Sequence, residues 1–385
     1  MMASKIIKSS SVLTSRFFYS VNWFNISPAL IPLEDQFHIT LGQAGIALTM
    51  FLVGAGIFQV PAGILATKLG SKRVAILGLY IMAAFAVFSG FSSSFSEIVV
   101  GRFMTGVGAA FYFSTAIVVL REIYPEKIHS LIGYYNASYN LGAGAGIIFM
   151  TPVVEVFGWR MDFIISGLLT AASAIFMQVA VHQRIRYGMI SLGKVRTRVL
   201  NRRIWLIALA LLGVWSMNYT LPEYFKSFGA TVGIPSFTAG VLGGIIPIAG
   251  VAGGVVSGLF FRYRQVPTLA SIAILLGLAV SLLAISPAIF YWPILIVTGL
   301  FATVAISLEY SVVAKYENEP EYIAISIGLI NSVQIGLGSL VPLIFGYLAR
   351  FGFSYSWVFL GIFCAVTIVF FLPLGQVENV SQSAV

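Results

Sequence analysis

Long apolar runs, separated by short polar segments, follow one another from Phe17 to Leu374. A helix that spans a bilayer needs about 20 mostly apolar residues, and runs of this length recur along the whole chain. The short alternating strands of a lipid-facing barrel are absent from the sequence. The pattern predicts an all-α membrane protein with twelve transmembrane helices. The runs begin near Phe17, Gly42, Val74, Glu97, His129, Met161, Ile204, Ser236, Val266, Ala288, Tyr322 and Ser354.

The amino-acid composition supports a membrane protein and limits the kinds of catalytic and cofactor site that we expect. Hydrophobic residues make up 59% of the chain and charged residues 9%, which is more apolar surface than a soluble domain can bury. The first run is too long for a signal-peptide core and lacks a small-residue cleavage site, so we keep it as a helix. Cys364 is the single cysteine, and no phosphate-binding loop, metal-ligand spacing or nucleophile–base set stands out. We therefore expect no enzyme activity and no cofactor.

Basic residues are distributed unevenly between alternate loops. If alternate loops face inside, eighteen of the 22 Lys and Arg residues lie in inside segments, Arg16 among them. Three lie outside: Arg160, Lys226 and Arg350. The positive-inside rule then places both termini in the cytoplasm, and we expect a multi-pass protein of the plasma membrane. The net charge of +9 reflects this topology, so we expect no nucleic-acid partner.

The second half of the sequence repeats landmarks of the first half. The stretch PEKIHSLIGYYN at Pro125 returns as PEYIAISIGLIN at Pro320, 195 residues later, and Gly63 and Gly258 begin stretches with the same offset. Two parallel six-helix halves are the expected arrangement. The predicted parts are a cytoplasmic N-terminal segment (1–16), a first half (17–182), a basic cytoplasmic linker (183–203), a second half (204–374) and a cytoplasmic tail (375–385).

The loop after the second run resembles the motif G-x-L-A-D-R-x-G-R-K of the major facilitator superfamily. In the family the aspartate of this motif helps to close a cytoplasmic gate; here Thr67 takes its place, with a neutral hydroxyl that can donate a hydrogen bond. The resemblance implies two pseudo-symmetric halves and transport by alternating access. The gate residues that it implies, with Glu122 added as a carboxylate partner, are Gly63, Thr67, Lys68, Gly70, Lys72, Arg73 and Glu122.

A second motif of the family, R-x-x-x-G-x-G-A-A, matches the chain from Arg102 to Ala110. The resemblance gives Arg102 a role in proton coupling, while the alternative is a side chain that snorkels to the headgroups. In the fifth run Ile147 replaces the proline of the family's antiporter motif. That departure argues against an efflux antiporter without excluding one.

Asparagines lie inside several apolar runs, in pairs at related positions of the two halves. An amide in lipid is costly unless it has hydrogen-bond partners, so these side chains should face the interior. These amides either form hydrogen bonds between helices or contact a solute. We predict a substrate site formed by Asn22, Trp23, Asn136, Tyr139, Asn218, Tyr219, Asn331 and Gln334.

Glu309 is the second charged residue, beside Arg102, that we place away from helix ends. A carboxylate at this depth pairs, takes up a proton or touches a water-filled cavity. We predict that Glu309 takes part in proton coupling, and a structural hydrogen bond is the alternative. Glu223 and Lys226, at the outer end of the seventh run, are expected to be solvated.

Together these features predict a secondary active transporter of a small polar solute or organic anion, coupled to protons as a symporter. The expected partners are the solute, protons and the lipid bilayer, and we expect the chain to work as a monomer. A drug/proton antiporter and a membrane sensor that binds without transporting are the alternatives. No repeated filter loop of the kind found in channels is present in the sequence.

Overall fold

The computed structural model describes residues 2–125, 128–182, 192–260, 265–316 and 320–373, and nearly all of them are helical. The helices of the amino-terminal half are α1 (Met2–Phe24), α2 (Ile26–Phe37), α3 (Leu41–Ile57), α4 (Gln59–Leu69), α5 (Ser71–Gly90), α6 (Phe95–Ile123), α7 (Ile128–Ile148), α8 (Met150–Phe157) and α9 (Trp159–Ala180). After α10 (Leu192–Val199), the helices of the carboxy-terminal half are α11 (Arg202–Ala210), α12 (Leu212–Thr231), α13 (Ser236–Phe260), α14 (Gln265–Leu282), α15 (Tyr291–Tyr316), α16 (Pro320–Gly338), α17 (Leu340–Leu348) and α18 (Phe353–Val366). Short 3-10 segments occupy Ala288–Phe290, Ala349–Phe351 and Thr367–Phe371.

Within the described residues, ten helices are long and apolar enough to cross a membrane, and eleven spans result if the pair α3–α4, bent by 45°, counts as one. The pair α1–α2 is not among them, because α1 carries serines and basic residues. Its serines are buried against protein: Ser15 Oγ donates to the Ser173 carbonyl of α9 at 3.1 Å, and Ser20 Oγ donates to the Arg16 carbonyl at 2.9 Å. The serines of the first helix are therefore shielded by protein and form hydrogen bonds there. The count of twelve spans stays a prediction.

Helix breaks follow from local chemistry. Thr40 Oγ1 accepts a hydrogen bond from the Gln43 amide and Gln43 Oε1 accepts one from the Thr40 amide, a reciprocal cap that starts α3. Gly70, with φ of 90°, separates α4 from α5, and Gly158, with φ of 80°, separates α8 from α9. These angles lie where residues with a side chain are strained, so glycine fits both turns.

The N-terminal part of the chain differs from the sequence expectation. Helix α1 begins at Met2, so residues 2–16, predicted as a separate cytoplasmic segment, belong to the helix. Arg16, counted among the inside charges, is only 2% exposed. Helix α10 lies within the predicted linker, whereas residues 183–191 of that linker and the predicted tail, 375–385, lie outside the described residues.

The two halves meet mainly where α7 contacts α13, α3 contacts α16 and α17, and α2 contacts α12. Glycines permit the close approach, since a Cβ added to Gly144 would lie 2.8 Å from the Gly244 carbonyl and one added to Gly56 would lie 2.6 Å from Gly336 Cα. Larger side chains at these crossings would force the helices apart.

Two ends of the bundle can be distinguished. The basic end carries Lys68, Lys72 and Arg73 around the α4–α5 turn, and the opposite end carries the α2–α3 turn at His38 and the α8–α9 turn at Gly158. Hydrogen bonds join the halves toward the opposite end: Ser27 Oγ donates to the Pro222 carbonyl at 3.3 Å and Thr49 Oγ1 to the Ser339 carbonyl at 2.9 Å. The halves are thus tied together on that side.

Candidate functional site

Arg102 of α6 is buried between helices, 1% exposed. Its Nη1 donates to the Asn22 carbonyl at 2.9 Å and its Nη2 to the Trp23 carbonyl at 3.0 Å. The helix breaks at Asn25, between α1 and α2, and carbonyls at the end of a helix lack partners within it. The guanidinium therefore caps the end of α1, and the alternative of snorkelling to the headgroups is wrong.

Glu223 and Lys226 of α12 are buried, 1% and 6% exposed, so the expectation that both are solvated is wrong. Trp23 Nε1 donates to Glu223 Oε1 at 3.2 Å, and Lys226 Nζ donates to the Pro28 carbonyl at 3.5 Å. Both contacts cross from one half to the other. Glu223 Oε2 has no hydrogen-bond partner among the described residues.

Asp162 of α9 completes a group of buried charges. It is fully buried, and neither carboxylate oxygen has a hydrogen-bond partner by geometry in the described part of the chain. The nearby Asn25 amide donates to Ser166 Oγ at 2.9 Å. Asp162 interacts electrostatically with Arg102 and Lys226, and Arg102 also with Glu223. We call Arg102, Asp162, Glu223 and Lys226 the buried charge cluster. It balances two cations against two carboxyl groups in a low-dielectric interior, where charge pairs interact strongly.

Glu309 of α15 lies in a separate network of the carboxy-terminal half. It is fully buried, and its two oxygens accept hydrogen bonds from Trp215 Nε1 at 2.9 Å and Gln334 Nε2 at 2.5 Å. Gln334 Nε2 also donates to the Ala208 carbonyl at 3.2 Å. The carboxyl group thus joins α12, α15 and α16, and the predicted solute ligand Gln334 is bound to it.

The predicted asparagines occupy different surroundings. Asn331 is buried, its Oδ1 accepts a hydrogen bond from Tyr310 at 3.1 Å, and its Nδ2 has no partner among the described residues. Asn22 is also buried, and its Nδ2 donates to Thr170 Oγ1 of α9 at 3.2 Å, within its own half. Asn136 and Asn218 are partly exposed. Contact with a solute stays a prediction for each of them.

The predicted aromatic residues come together. Trp23 packs against Tyr139, with ring centroids 5.7 Å apart, and Tyr219 of α12 belongs to the same buried cluster as Trp23. Tyr219 donates its hydroxyl hydrogen to Ser216 Oγ at 3.3 Å. These three rings therefore join the two halves beside the buried charge cluster.

Arg16 was not among the predicted site residues. Its guanidinium carbon lies 4.4 Å from the centroid of Tyr19, 4.8 Å from Phe113, 4.4 Å from Tyr135 and 4.5 Å from Tyr139. Because α1 begins at Met2, Arg16 is inside a helix and shares one face with Tyr19 and Trp23, three and seven residues later. That spacing was the available signal in the sequence.

The residues predicted for the gate lie at the basic end. Thr67 Oγ1 donates to the Ile64 carbonyl of its own helix at 2.8 Å, and Lys72 Nζ donates to the Gln178 carbonyl of α9 at 3.2 Å. Lys68 and Arg73 are exposed, and Glu122 lies near the end of α6, partly exposed. The predicted gate also includes Gly63 and the turn residue Gly70. A Cβ added to Gly63 would have no atom within 4 Å. Their function as a gate stays a prediction.

Solved structures establish the fold. The crystal structure of a bacterial homologue of the human lysosomal transporter Spinster, inward-facing and unoccupied, superimposes with a TM-score of 0.77 over 95% of this chain and 96% of that chain, at 16% identity. Its occupied, inward-facing form gives a TM-score of 0.76 at 14% identity. At such identities the likeness speaks for the fold alone. The predicted all-α membrane fold is confirmed.

Curated relatives are more similar in sequence. The probable sulfoacetate transporter SauU of Cupriavidus necator is 26% identical over 96% of this chain and 94% of that protein. The 4-hydroxybenzoate transporter PcaK of Pseudomonas aeruginosa is 26% identical over 42% of this chain, and the probable L-galactonate transporter of Escherichia coli is 23% identical over 66% of it. The matches span only 36% of the 4-hydroxybenzoate transporter and 61% of the L-galactonate transporter.

The family itself is matched along most of the chain. The sequence profile of the Major Facilitator Superfamily aligns with residues 12–340, a range that includes the buried charge cluster, the Glu309 network and the basic turn at Gly70. This chain therefore belongs to the Major Facilitator Superfamily.

Proposed function

We propose that the chain is a secondary active transporter that moves a small organic anion across the plasma membrane by alternating access, coupled to protons. Membership of the family supports transport, and the relatives are named for 4-hydroxybenzoate, sulfoacetate and L-galactonate, which all carry a negative charge. We further propose that the chain acts as a monomer, as a transporter rather than an enzyme.

One observation carries the proposal: carboxyl groups are buried where two halves meet. Glu223 accepts a hydrogen bond from Trp23 of the other half, and its second oxygen has no partner among the described residues. An ionisable group inside a membrane protein is functional by default, because burying it without a role is costly. A proton on such a group changes its attraction to Arg102, and so links protonation to the contact between halves.

We place the solute between the halves, beside the aromatic residues Trp23, Tyr139 and Tyr219. Asn331 offers an amide nitrogen that has no partner in the described part of the chain, and Asn136 and Asn218 offer partly exposed amides. Asn22 and Gln334 would act indirectly, through the side chains to which they donate hydrogen bonds, Thr170 and Glu309.

Glu309 is the proposed proton site, and Arg102 takes part in coupling as a fixed charge that acts on the Glu223 carboxyl group. The test uses purified protein in liposomes, with uptake of radiolabelled 4-hydroxybenzoate, sulfoacetate and L-galactonate under an imposed pH gradient. We expect accumulation of at least one anion, abolished when a protonophore collapses the gradient. Glu309→Gln should lose this accumulation and keep solute counterflow, because the amide fills the site but does not exchange a proton.

The matched control is Asp35→Asn, a carboxyl-to-amide change at an exposed position, which should accumulate the anion as the wild type does. Full accumulation by Glu309→Gln would assign a structural role to Glu309, and Glu223→Gln would then be the variant expected to uncouple. Binding without flux would favour a sensor, and proton-driven export of a lipophilic cation would favour a drug antiporter.

We propose that the basic end faces the cytoplasm and that Lys68, Lys72 and Arg73 take part in its gate, with Glu122 as a carboxylate partner. The uneven distribution of basic residues supports this orientation. Cysteines placed at these three positions should react with an impermeant maleimide in inside-out vesicles and stay unlabelled in intact cells. The native Cys364 is buried, so background labelling should be low. Labelling in intact cells would contradict the orientation.

A further inference from the structure

Arg16 carries buried hydrogen-bond donors that nothing in the described part of the chain accepts. The residue is 2% exposed, and its Nε and Nη1 have no hydrogen-bond partner among the residues that the structure describes. A buried donor left unsatisfied costs free energy, more so when it belongs to a charged group. The position is therefore unfavourable unless the side chain has a purpose there.

The aromatic cage of Tyr19, Phe113, Tyr135 and Tyr139 compensates the charge only in part. A cation within about 6 Å of a ring centroid is attracted to the ring face, and all four rings meet that condition, at 4.4 to 4.8 Å. Ring faces stabilise the charge without accepting the N–H groups in the guanidinium plane. The Tyr135 hydroxyl is also committed, because it donates to the Phe113 carbonyl at 2.8 Å.

The cage lies beside the boundary between the halves. Tyr139 is its partly exposed member on α7, and the next residue, Asn140, lies against α13, since its Nδ2 is 2.9 Å from where a Cβ of Gly250 would be. Tyr310 of α15 lies close enough to Arg16 for the two to interact electrostatically. A solute between the halves would therefore approach Arg16 past Tyr139.

We infer that Arg16 is an anion-binding residue, which holds the carboxylate or sulfonate group of the transported solute within the cage of Tyr19, Phe113, Tyr135 and Tyr139. The planar guanidinium matches two oxygens of such a group with two parallel hydrogen bonds. The aromatic rings suit the apolar part of an organic anion. This inference rests on the proposed function and names the residue that recognises the charge.

The opposite wall offers a partner for the far end of the solute. Asn331 Nδ2 has no hydrogen-bond partner among the described residues, and its Oδ1 is held by Tyr310. A hydroxyl group on the solute would accept from this amide nitrogen. An anion bound in this way touches both halves, which is what a solute must do to influence their movement.

The test is equilibrium binding to the purified full-length chain, followed by thermal stabilisation, since a ligand stabilises the state that it binds. The probes are 4-hydroxybenzoate, sulfoacetate and L-galactonate, with the uncharged 4-hydroxybenzamide and L-galactose as comparisons. We expect the wild type to bind at least one anion and to prefer it to its uncharged counterpart. In Arg16→Gln the affinity for that anion should fall on the order of ten- to a hundredfold, the effect of losing a charge-assisted hydrogen bond.

The matched control is Arg350→Gln, which removes another arginine that lies over a tyrosine, 5.5 Å from the Tyr347 centroid, and should leave the affinity unchanged. The melting temperature of each variant without ligand distinguishes a role of Arg16 in anion binding from a role in stabilising the fold. An anion-binding Arg16 predicts that Arg16→Gln melts at or above the wild-type temperature, whereas a structural Arg16 predicts a lower temperature with unchanged affinity.

An unchanged anion affinity in Arg16→Gln overturns the inference, as does a wild type that binds none of the three anions or binds charged and uncharged probes equally. If Arg16→Gln does not fold, Arg16→Lys carries the test. It keeps the charge but loses the planar fork, so its affinity should fall about tenfold, and an unchanged affinity overturns the inference. Binding through Arg16 without flux in liposomes would uphold this inference while contradicting the proposed transport.

Discussion

Arg16 and Arg102 are both buried in the amino-terminal half, yet their guanidinium groups differ in the hydrogen-bond acceptors and charges around them. Arg102 donates to two backbone carbonyls and interacts with two carboxyl groups. Arg16 is surrounded by aromatic rings, and no described residue accepts a hydrogen bond from its Nε or Nη1. Arg102 has acceptors for Nη1 and Nη2 and lacks one, within the described part of the chain, only for Nε, whereas the charge of Arg16 is stabilised by rings with two nitrogens left without acceptors.

The difference comes from the course of the first helix. Carbonyls inside an intact helix are used by its own hydrogen bonds, whereas those at a helix end are free. The break at Asn25 supplies Arg102 with the carbonyls of Asn22 and Trp23. Arg16 lies in the continuous part of α1, where no such acceptors exist. A break in a helix can thus decide whether a buried arginine is structural or free to bind a ligand.

The largest difference in stability is expected between the variants Arg102→Met and Arg16→Met. Arg102→Met leaves the Glu223 carboxyl group without its cation, Asp162 with Lys226 alone, and two carbonyls without donors. This loss should cost about 3–5 kcal/mol. Arg16→Met removes a buried charge whose Nε and Nη1 have no acceptors among the described residues, and its stability should stay within about 1 kcal/mol of the wild type. Thermal unfolding of the purified variants measures both, and transport should be lost in each.

Arg350→Met, at an exposed position, is the control for the loss of an arginine as such. If Arg16→Met and Arg102→Met lower the melting temperature equally, the distinction between the two arginines is wrong.

An intermediate effect is expected at the contact between Trp23 and Glu223. Trp23→Phe keeps a ring in the aromatic cluster but removes the Nε1 donor to Glu223 Oε1, leaving a buried carboxylate with one partner fewer. The cost should be about 1.5 kcal/mol, as for other hydrogen bonds to charged groups. Since this bond joins the halves, the variant should also expose a cysteine placed at Ser27 to an impermeant maleimide more rapidly. Unchanged melting and labelling would mean that the bond does not hold the halves together.

The smallest effect is expected at Tyr135. Tyr135→Phe removes the hydroxyl that donates to the Phe113 carbonyl at 2.8 Å and keeps the ring over Arg16. The loss should be about 1 kcal/mol, with the anion affinity unchanged. Tyr135→Leu, which removes the ring as well, should weaken anion binding. Equal affinities of the Phe and Leu variants would contradict a role of the ring in placing Arg16.

The overall architecture could be predicted from the sequence because bilayer thickness fixes helix length and the repeat relates the halves. Arg102 and Glu309 could also be found, since a charge inside an apolar run is conspicuous. Glu223, Lys226 and Asp162 could not be judged correctly, because they lie near run ends and position along a run does not show whether another helix covers them. Arg16 was missed for the same reason: the polar first turns of α1 resemble a solvated segment until neighbouring helices are placed around them.

We expect α7 and α13 to rotate about the contact between Gly144 and Gly244 in the proposed alternating motion. There the backbones of α7 and α13 are close enough that a Cβ on Gly244 would lie 2.9 Å from the Gly144 carbonyl. Ile128, at the start of α7, is about 24 Å away along the helix at the usual rise. A rotation of about 15°, typical of such transitions, would displace that end by about 6 Å while the crossing itself hardly moves. The segment of α7 from Ile128 to Gly144 is thus long enough for such a rotation to open a passage for a small solute while the contact between Gly144 and Gly244 is kept.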